Sequence, residues 1–360
     1  MKTLQSSAMR YRSLPNCSVI IVNHNGLPHL KKCLPSIFRQ HYPDYEVILV
    51  DNASSDGSIE FLAREFPQLV VIRNKENLGY TGANNAGFKQ ATGKYVAVLN
   101  PDTEVEPNWL KELVIALEED QFAAMATPKI LLMDNPEKIN ACGNDITFTG
   151  LTFCRGHDQQ AESYQEPEIV SAVSGAAFVI RRCILDQIGG FDENLFMYYE
   201  DTDLSLRAML AGYKCLFVPK SIIYHQYAFR FPPGKCFYQE RNRYYSLFKT
   251  LRWQTFIVLL PELLISEFLA WGYAFLVGTD HIKSKYRSWA WLIQNRDQIL
   301  MARQHTQRLR QVDDRTLLNC FTYRLNFSQT TKPLLGRALE LIINPLLFVL
   351  GNFSKVLTVW

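Results

Sequence analysis

The first 120 residues alternate between short continuous apolar runs and segments whose apolar side chains recur at helical spacing. The apolar runs lie at residues 18–22, 46–50, 69–72 and 95–99. Runs of this length, rich in Val, Ile and Leu, are typical of strands buried on both faces of a parallel sheet. Apolar residues three or four positions apart separate these runs and predict helices. This alternation predicts an α/β fold with a doubly wound, mostly parallel sheet.

Polar side chains follow three of the predicted strands. His24 and Asn25 come after the first strand, Asp51 ends the second, and Asp102 comes shortly after the fourth. Open α/β sheets bind ligands beyond the carboxyl ends of their strands, so these side chains are expected to line one nucleotide-sized crevice. The alternative is that each residue only forms a turn, as Asn and Asp often do after strands.

The motifs that the sequence lacks restrict the kind of nucleotide site that this crevice can be. It has no G-x-x-x-x-G-K-[ST] loop, and no G-x-G-x-x-G follows the first strand. A phosphate held without such a loop needs another positive partner, and Mg²⁺ or Mn²⁺ bound by Asp102 would provide it. His225, which follows an apolar run, could complete the metal site, although a lone His at a strand end is more often structural.

An acidic and aromatic stretch, residues 191–204, contains five carboxylates and four aromatic side chains. The following residues predict a helix that ends near Gly212. Glu200 and Asp201 therefore fall at a helix start, where carboxylates are also favoured for purely structural reasons. Burial against the aromatic residues and mutual repulsion would raise the pKa of Asp201, as a general base requires.

Composition restricts the range of functions. With 360 residues the chain is long enough for one large domain and an appendage. Its net charge of +3 is too small to indicate a nucleic-acid partner. Eight scattered cysteines without a C-x-x-C pair favour reduced thiols in a cytosolic chain over zinc or disulfides. The polar N-terminus indicates no signal peptide.

The last third of the chain is apolar and basic. Residues 256–277 and 339–350 are strongly apolar. Between them lies a basic stretch that contains Lys283, Lys285, Arg287, Arg296, Arg303, Arg308, Arg310 and Arg315. Two spanning helices would leave this stretch outside, against the positive-inside tendency. Helices in the membrane plane, with Lys and Arg facing anionic headgroups, fit better; the alternative is a soluble helical appendage. The expected location is the cytoplasmic face of the plasma membrane.

Several motifs, in this order and spacing, resemble glycosyltransferase family 2, in particular its rhamnosyltransferase-like branch. They are residues 50–57 (VDNASSDG), 77–79 (NLG) with Asn85 and Gly87, 100–102 (NPD), 174–176 (SGA), 190–193 (GFDE), 198–204 (YYEDTDL), Arg207, 212–213 (GY), Pro219 and His225. The resemblance covers about residues 17–250 and implies a GT-A fold. We therefore expect an N-terminal tail (1–16), a GT-A domain (17–250) and a helical, membrane-associating region (251–360).

The resemblance also implies residue roles. Asp51 would accept from the N3–H of the donor's pyrimidine, and Asp102 and His225 would hold the cation. Asp201, beside Glu200, would be the catalytic base. The remaining donor-binding residues would be His24, Asn25, Asn77, Gly79, Asn85 and Asn100. Asn100 stands where the family's D-x-D motif has its first Asp, so the cation would have one carboxylate fewer.

The function implied is inverting, non-processive transfer of a sugar, with rhamnose as the candidate. The donor would be a nucleotide-diphosphate sugar and the acceptor a glycan or lipid-linked glycan for the cell surface. Two alternatives stay open. A processive polysaccharide synthase usually carries Q-x-x-R-W, which residues 239–243 and 252–253 do not compose. The other is a non-catalytic sugar-nucleotide or glycan-binding membrane scaffold.

Overall fold

The computed structural model describes residues 14–228, 231–329 and 333–360. The expected N-terminal tail, residues 1–16, lies mostly outside the described residues. The strands are β1 (Cys17–Asn23), β2 (Tyr45–Asp51), β3 (Val70–Arg73), β4 (Tyr95–Leu99), β5 (Thr103–Val105), β6 (Ala123–Leu132), β7 (Asn135–Ala141), β8 (Asn144–Ile146), β9 (Thr152–Cys154), β10 (Glu168–Val170), β11 (Ala177–Arg181) and β12 (Lys214–His225).

Thirteen α-helices lie within the described ranges. They are α1 (Leu27–Ile37), α2 (Ser58–Glu65), α3 (Gly79–Gln90), α4 (Trp109–Glu119), α5 (Arg182–Ile188), α6 (Glu200–Leu210), α7 (Pro233–Thr250), α8 (Trp253–Val258), α9 (Leu260–Val277), α10 (Thr279–Gln294), α11 (Arg296–Arg308), α12 (Asp314–Asn319) and α13 (Pro333–Leu357).

A mixed sheet forms the centre of the fold, with the order β10-β12-β6-β11-β4-β1-β2-β3. β1 to β4 run parallel to one another, so their carboxyl ends lie along one edge. β11 runs antiparallel between β4 and β6, while β12 is parallel to β6. The predicted α/β class is confirmed, and all four predicted strands are present. The GT-A assignment follows from the structural comparisons given below.

Two apolar layers cover the sheet. Val19 and Ile21 of β1 face a cluster that includes Trp109 and Leu113 of α4, whereas Ile20 faces the opposite cluster. Successive side chains of a strand point to opposite faces, so a fully apolar β1 requires helices on both sides. Fully burying each aliphatic side chain stabilises the fold by about 1.5–3 kcal/mol, and the sheet is thereby a rigid support for the loops at its edge.

The long strand β12 crosses from the sheet to the site. Its first half pairs with β6 and β10, and its last residues pair with β5 so that His225 lies opposite Thr103. The register shifts between Val218 and Ile222, where β12 is irregular. This course brings His225 next to Asp102 although the two residues are far apart in the chain.

The C-terminal helices are joined to the α/β core by a buried ionic cluster on α7. Arg243 of α7 donates to Glu240 at 2.9 Å and to Glu267 of α9 at 3.0 Å, and Lys285 of α10 contacts both carboxylates. Lys285 is 1% exposed, and the Arg303 guanidinium donates to the Phe248 and Leu251 carbonyls. The expectation that the whole basic stretch faces headgroups is therefore wrong for Lys285, because its charge is neutralised by Glu240 and Glu267 inside the fold.

Helices α9 and α13 keep most of their apolar side chains at the surface. Phe268 is 79% exposed, Leu276 84% and Leu341 79%. Among the described residues, Leu260–Val277 and Leu334–Leu357 are long and apolar enough to cross a membrane by length and composition. The two helices contact each other where the Ser354 hydroxyl donates to buried Glu262 at 2.7 Å.

Candidate functional site

Asp51 lies at the carboxyl end of β2 and is held by its neighbours. The Asn23 amide donates to its Oδ1 at 3.2 Å and the Ser54 backbone N–H to its Oδ2 at 3.1 Å. Asp51 is 2% exposed. The carboxylate is therefore fixed at the strand edge that the sequence predicted.

The segment after β1 lies beside the segment after β2. His24 Nδ1 is 2.8 Å from the Asn52 carbonyl oxygen, and the Asn25 side-chain oxygen accepts from the Ser55 N–H at 2.8 Å. Asn25 has φ +53°, a left-handed conformation that Asn adopts more readily than most residues. His24, Asn25 and Asp51 thus meet at one edge of the sheet, as expected.

Asn52 connects this edge to the next motif, and the sequence analysis assigned it no role. Its Nδ2 donates to Asn77 Oδ1 at 2.7 Å and to the Gly79 carbonyl at 3.1 Å. Its Oδ1 accepts from the Leu78 N–H at 3.0 Å. The available signal was the position of Asn52 directly after the strand-ending Asp51. One buried amide therefore fixes Asn77 and Gly79 relative to Asp51.

Asn85 and Asn100 occupy different surroundings. The Asn85 side chain exchanges hydrogen bonds with the Phe191 backbone, at 2.8 and 2.9 Å, and also donates to Glu193. It joins α3 to the acidic stretch, and its donor-binding role stays a prediction. The Asn100 N–H donates to the Ala176 carbonyl at 2.9 Å. Asn100 therefore lies where the end of β4 meets the loop before β11.

Asp102 and His225 lie together, as predicted for the cation site. His225 Nε2 is 3.4 Å from Asp102 Oδ1, and this oxygen is buried without a hydrogen-bond donor. Burial alone would raise the pKa of Asp102, but His225, when its ring is protonated on Nε2, and the charge of His29 outweigh it and lower this pKa. In that state the carboxylate is favoured in its ionised form.

Asn140 of β7 orients His225. Its Oδ1 lies 2.8 Å from His225 Nδ1. An amide oxygen can only accept, so a neutral His225 carries its proton on Nδ1 and has a lone pair on Nε2. Two electron-pair donors, Nε2 and Asp102 Oδ1, then face each other, which fits a divalent cation. Among the described residues no group of three His, Cys, Asp or Glu side chains could hold a metal.

Glu200 and Asp201 open α6, and both are buried. Asp201 Oδ2 accepts from the Gly175 N–H at 2.7 Å and from Asn144 Nδ2 at 3.1 Å, while Oδ1 accepts from the Thr202 N–H at 2.7 Å. Glu200 Oε2 has no hydrogen-bond partner. Burial, followed by the charge of Asp201, raises the pKa of Glu200 to about 8. Burial also raises the pKa of Asp201, although its hydrogen bonds oppose the shift.

Asp203, the third acid of this helix start, serves the fold. It is completely buried, 3.0 Å from Arg207 and 2.8 Å from Lys249. Asn144 and Gly175 are the partners of Asp201 that the sequence analysis did not assign. The Ser-Gly-Ala motif was the signal for Gly175, and none marked Asn144.

Tyr80 of α3 contacts the segment that holds Asp201. Its hydroxyl donates to the Gly175 carbonyl at 2.7 Å. Burial raises its pKa well above the ordinary value, and the charges of Glu200, Asp201 and Asp102 raise it further. The Gly175 N–H donates to Asp201, and the next carbonyl, that of Ala176, accepts from Asn100, two residues before Asp102. The carboxylates predicted for the cation and for the proton therefore lie near the same segment, residues 175–176.

Comparison with known proteins now identifies the class of molecule. The family model described as glycosyl transferase family 2 matches residues 18–189. This match covers just under half of the chain, and it identifies the protein as a glycosyltransferase. The matched part of this glycosyltransferase contains Asp51, Asp102 and Gly175, whereas Asp201 and His225 follow it in the chain.

Curated relatives of this glycosyltransferase differ in length and description. It is 32% identical over 235 residues to uncharacterized protein y4gI of Sinorhizobium fredii, covering 59% of the chain but only 24% of that protein. It is 28% identical to N-acetylglucosaminyl-diphospho-decaprenol L-rhamnosyltransferase of Mycobacterium tuberculosis, covering 58% and 76%. It is 26% identical to O-antigen biosynthesis protein RfbC of Myxococcus xanthus, covering 61% and 18%. The chain thus spans about a quarter or less of two of these relatives.

Solved structures share the GT-A fold. GalNAc-T7, crystallised with UDP, GalNAc and Mn²⁺, aligns with a TM-score of 0.56 at 23% identity, over 66% of this chain and 48% of that one. Residues 1–349 of Staphylococcus aureus TarS align with a TM-score of 0.51 at 16% identity, over 95% and 88%. At these identities the likeness concerns the fold.

Proposed function

We propose that this glycosyltransferase moves one sugar per encounter, with inversion, from a nucleotide-diphosphate sugar to a glycan or lipid-linked acceptor. The observation that carries the proposal is the segment at residues 175–176, which donates to Asp201 and accepts from Tyr80 and from Asn100, two residues before Asp102. A cation-binding acid and a proton-accepting acid on the same crevice are what a single displacement at a sugar carbon requires.

The donor nucleotide would bind along the edge formed by β1 and β2. Asp51, already fixed by Asn23 and Ser54, would accept from the N3–H of a pyrimidine. His24 and Asn25 would line the base and ribose. Asn77 and Gly79, fixed by Asn52, would contact the sugar-phosphate side, with Asn85 and Asn100 behind them.

Asp102 and His225 would hold Mg²⁺ or Mn²⁺, with diphosphate oxygens and water as the other ligands. When bound, the cation neutralises charge that develops on the leaving diphosphate. The facing lone pairs of Asp102 Oδ1 and His225 Nε2 support this assignment. A single carboxylate at the cation would make its affinity moderate, because Asn100 replaces the second acid.

The Glu200–Asp201 pair would remove the proton of the acceptor hydroxyl. As it leaves, the acceptor oxygen attacks the anomeric carbon, and the nucleoside diphosphate departs on the opposite side, which inverts the configuration. We assign the base to Asp201, in keeping with the family resemblance. Glu200, with an unpaired Oε2 and a raised pKa, would stay protonated beside it, which leaves Asp201 as the ionised partner that can accept the proton.

Rhamnose and a lipid-linked acceptor are the finer part of the proposal. They are supported by one relative, whose name specifies L-rhamnosyl transfer to a diphospho-decaprenol-linked sugar. The exposed apolar side chains of α9 and α13 would rest on the cytoplasmic face of the plasma membrane, where a lipid-linked acceptor would be presented.

A donor panel with the purified full chain tests this function. Transfer and donor hydrolysis are measured for dTDP-rhamnose, UDP- and GDP-sugars, each with Mn²⁺, Mg²⁺ or EDTA. We expect turnover with one donor and its loss in EDTA, and no turnover in Asp102→Asn. Asp186→Asn, at an exposed helix position, is the matched control and should match wild type.

Nucleotide binding without hydrolysis or transfer for any donor would instead support the non-catalytic scaffold. Polymeric product from a single encounter would support a processive synthase.

A further inference from the structure

The five residues before the catalytic pair, Leu195–Tyr199, form a loop with an unusual backbone, called here the 195–199 loop. Phe196, Tyr198 and Tyr199 have φ values of +63°, +64° and +72°. Side-chain-bearing residues rarely adopt this left-handed region, and aromatic residues gain no local hydrogen bond in return. Such a conformation persists only where surrounding groups determine it. The groups that do so come from one helix, α7.

Asn242 of α7 holds the loop backbone. Its Nδ2 donates to the carbonyls of Leu195 at 3.0 Å, Met197 at 2.9 Å and Tyr198 at 2.7 Å. Asn242 is fully buried. Without its amide the Met197 and Tyr198 carbonyls would lose this donor, whereas the Leu195 carbonyl also accepts from Arg241. The amide itself is oriented by Arg241, whose Nε donates to Asn242 Oδ1 at 2.8 Å.

Arg241 completes the clamp and links it to the C-terminal helices. Its Nη2 donates to the carbonyls of Asn194 at 2.7 Å and Leu195 at 2.8 Å. The guanidinium lies 4.6 Å from the ring of Trp291 on α10 and 5.0 Å from Tyr238. Lysine could not make these contacts. The planar guanidinium of arginine can stack on an aromatic ring and direct several N–H donors at the same time, whereas an ammonium group cannot.

The clamped loop touches both halves of the site. The Phe196 carbonyl accepts from the Thr81 N–H at 3.2 Å, and a Cβ on Gly79 would lie 2.4 Å from that same oxygen. At its other end Tyr199 directly precedes Glu200 and Asp201. The loop is therefore a spacer of fixed shape between the Asn77–Gly79 segment and the two acids.

We propose that Arg241 and Asn242 are positioning residues for the reaction: through the 195–199 loop they set where the Glu200–Asp201 pair stands relative to the donor. The proposal rests on the proposed function. The proposal accounts for the burial of Arg241 and Asn242 on α7. Because the Trp291 ring of α10 lies against the Arg241 guanidinium, the C-terminal helices also contribute to the position of the two acids.

Asn242→Asp is the most direct test, because it keeps the shape and replaces the donating NH₂ with an accepting oxygen. Asn344→Asp is the matched control: Asn344 also bridges backbone groups, those of Leu325, at 2.9 and 3.2 Å, but does not touch the loop. Hydrogen–deuterium exchange is followed on peptides covering residues 193–203. We expect faster exchange there in Asn242→Asp and Arg241→Lys, and wild-type exchange in Asn344→Asp.

Kinetics then separate positioning from general stability. We expect kcat to fall about 100-fold in Asn242→Asp, the scale of a 1 Å misplacement, with nucleotide diphosphate affinity by calorimetry within about twofold. The midpoint of the acidic limb of the kcat–pH profile should also shift, because the surroundings of the two acids change. Thermal unfolding shows whether a variant folds. If Asn242→Asp does not fold, the same measurements are made on Arg241→Lys.

Unchanged exchange in residues 193–203, or equal loss of kcat in the Asn344→Asp control, would overturn the clamp. Absence of transfer by wild-type protein would overturn the proposed function instead, while the exchange measurement would still report on the clamp.

Discussion

At the scale of single residues, two adjacent acids meet unequal surroundings. Every oxygen of Asp201 accepts a hydrogen bond, from Gly175, Asn144 and Thr202. Glu200, one residue earlier, has an oxygen without any donor. Backbone N–H donors favour the ionised form of Asp201, whereas burial disfavours the ionised form of Glu200. The proton of the pair is therefore favoured on Glu200, and Asp201 is favoured as the ionised partner.

We expect Asp201→Asn to lose transfer by about 10²–10⁴-fold, the usual contribution of a general base. Glu200→Gln should retain transfer and leave the acidic limb of the kcat–pH profile in place, because Glu200, with a pKa of about 8, is already uncharged where Asp201 gains its proton. Stopped turnover assays between pH 5 and 9 measure both. Loss of transfer in Glu200→Gln with retention in Asp201→Asn would assign the base to Glu200.

Glu200→Gln also carries a stability prediction. The pKa of Glu200 is about 8 in the folded chain, against an ordinary value of 4.5. A raised carboxyl pKa means that the folded state binds the proton more tightly, so its stabilising effect is lost as pH rises towards 8. We expect Glu200→Gln to melt like wild type near pH 5 and at higher temperature near pH 9. A constant difference across this range would contradict the shift.

At the scale of elements, the apolar runs were sufficient to locate the first four strands, β1 to β4. The runs at 18–22 and 46–50 fall inside β1 and β2, because a strand buried on both faces tolerates few other sequences. The pairing of His225 with Thr103 and the 195–199 loop could not be predicted. The first is a contact between distant parts of the chain. The second places aromatic residues in left-handed backbone conformations, which usually favour Gly.

The same distinction holds for the candidate site. Asp51, Asp102 and His225 could be predicted because strand ends share an edge and the family motifs mark them. Asn52, Asn140 and Asn144 could not, since each acts by orienting another side chain from a distant segment. Asn is also a common turn residue, so its presence after a strand carries little information on its own.

Gly79 gives a prediction at this scale, because it joins α3 to the 195–199 loop. It has φ +71°, and an added Cβ would lie 2.4 Å from the Phe196 carbonyl oxygen. We expect Gly79→Ala to lower the free energy of unfolding by about 1–3 kcal/mol and to weaken nucleotide-sugar binding. Denaturant titration and calorimetry measure the two effects. Gly234→Ala, where nothing lies within 4 Å, is the control; an equal loss there would refute the steric argument.

At the scale of the whole molecule, α7 joins the α/β core to the C-terminal helices. Glu240 and Arg243 pair with Glu267 and Lys285 from α9 and α10. Such a cluster leaves an uncompensated buried charge if one member is removed. The boundary predicted at residue 250 coincides with the end of α7 and stays a prediction. The ionic side of α9 faces this cluster, and its apolar side is turned outward.

This apolar side predicts how the molecule meets a membrane. Burying one large apolar side chain is favourable by about 1.5–3 kcal/mol, and about 1.4 kcal/mol is a tenfold change in partitioning. Phe268→Ser with Leu276→Ser, both highly exposed, should therefore weaken co-sedimentation with phosphatidylglycerol vesicles at least about tenfold and leave thermal unfolding unchanged. Phe122→Ser, 54% exposed on the α/β core, should bind vesicles like wild type. In-plane helices further predict release of wild-type protein by alkaline carbonate, whereas retention in the pellet would indicate that α9 and α13 span the bilayer.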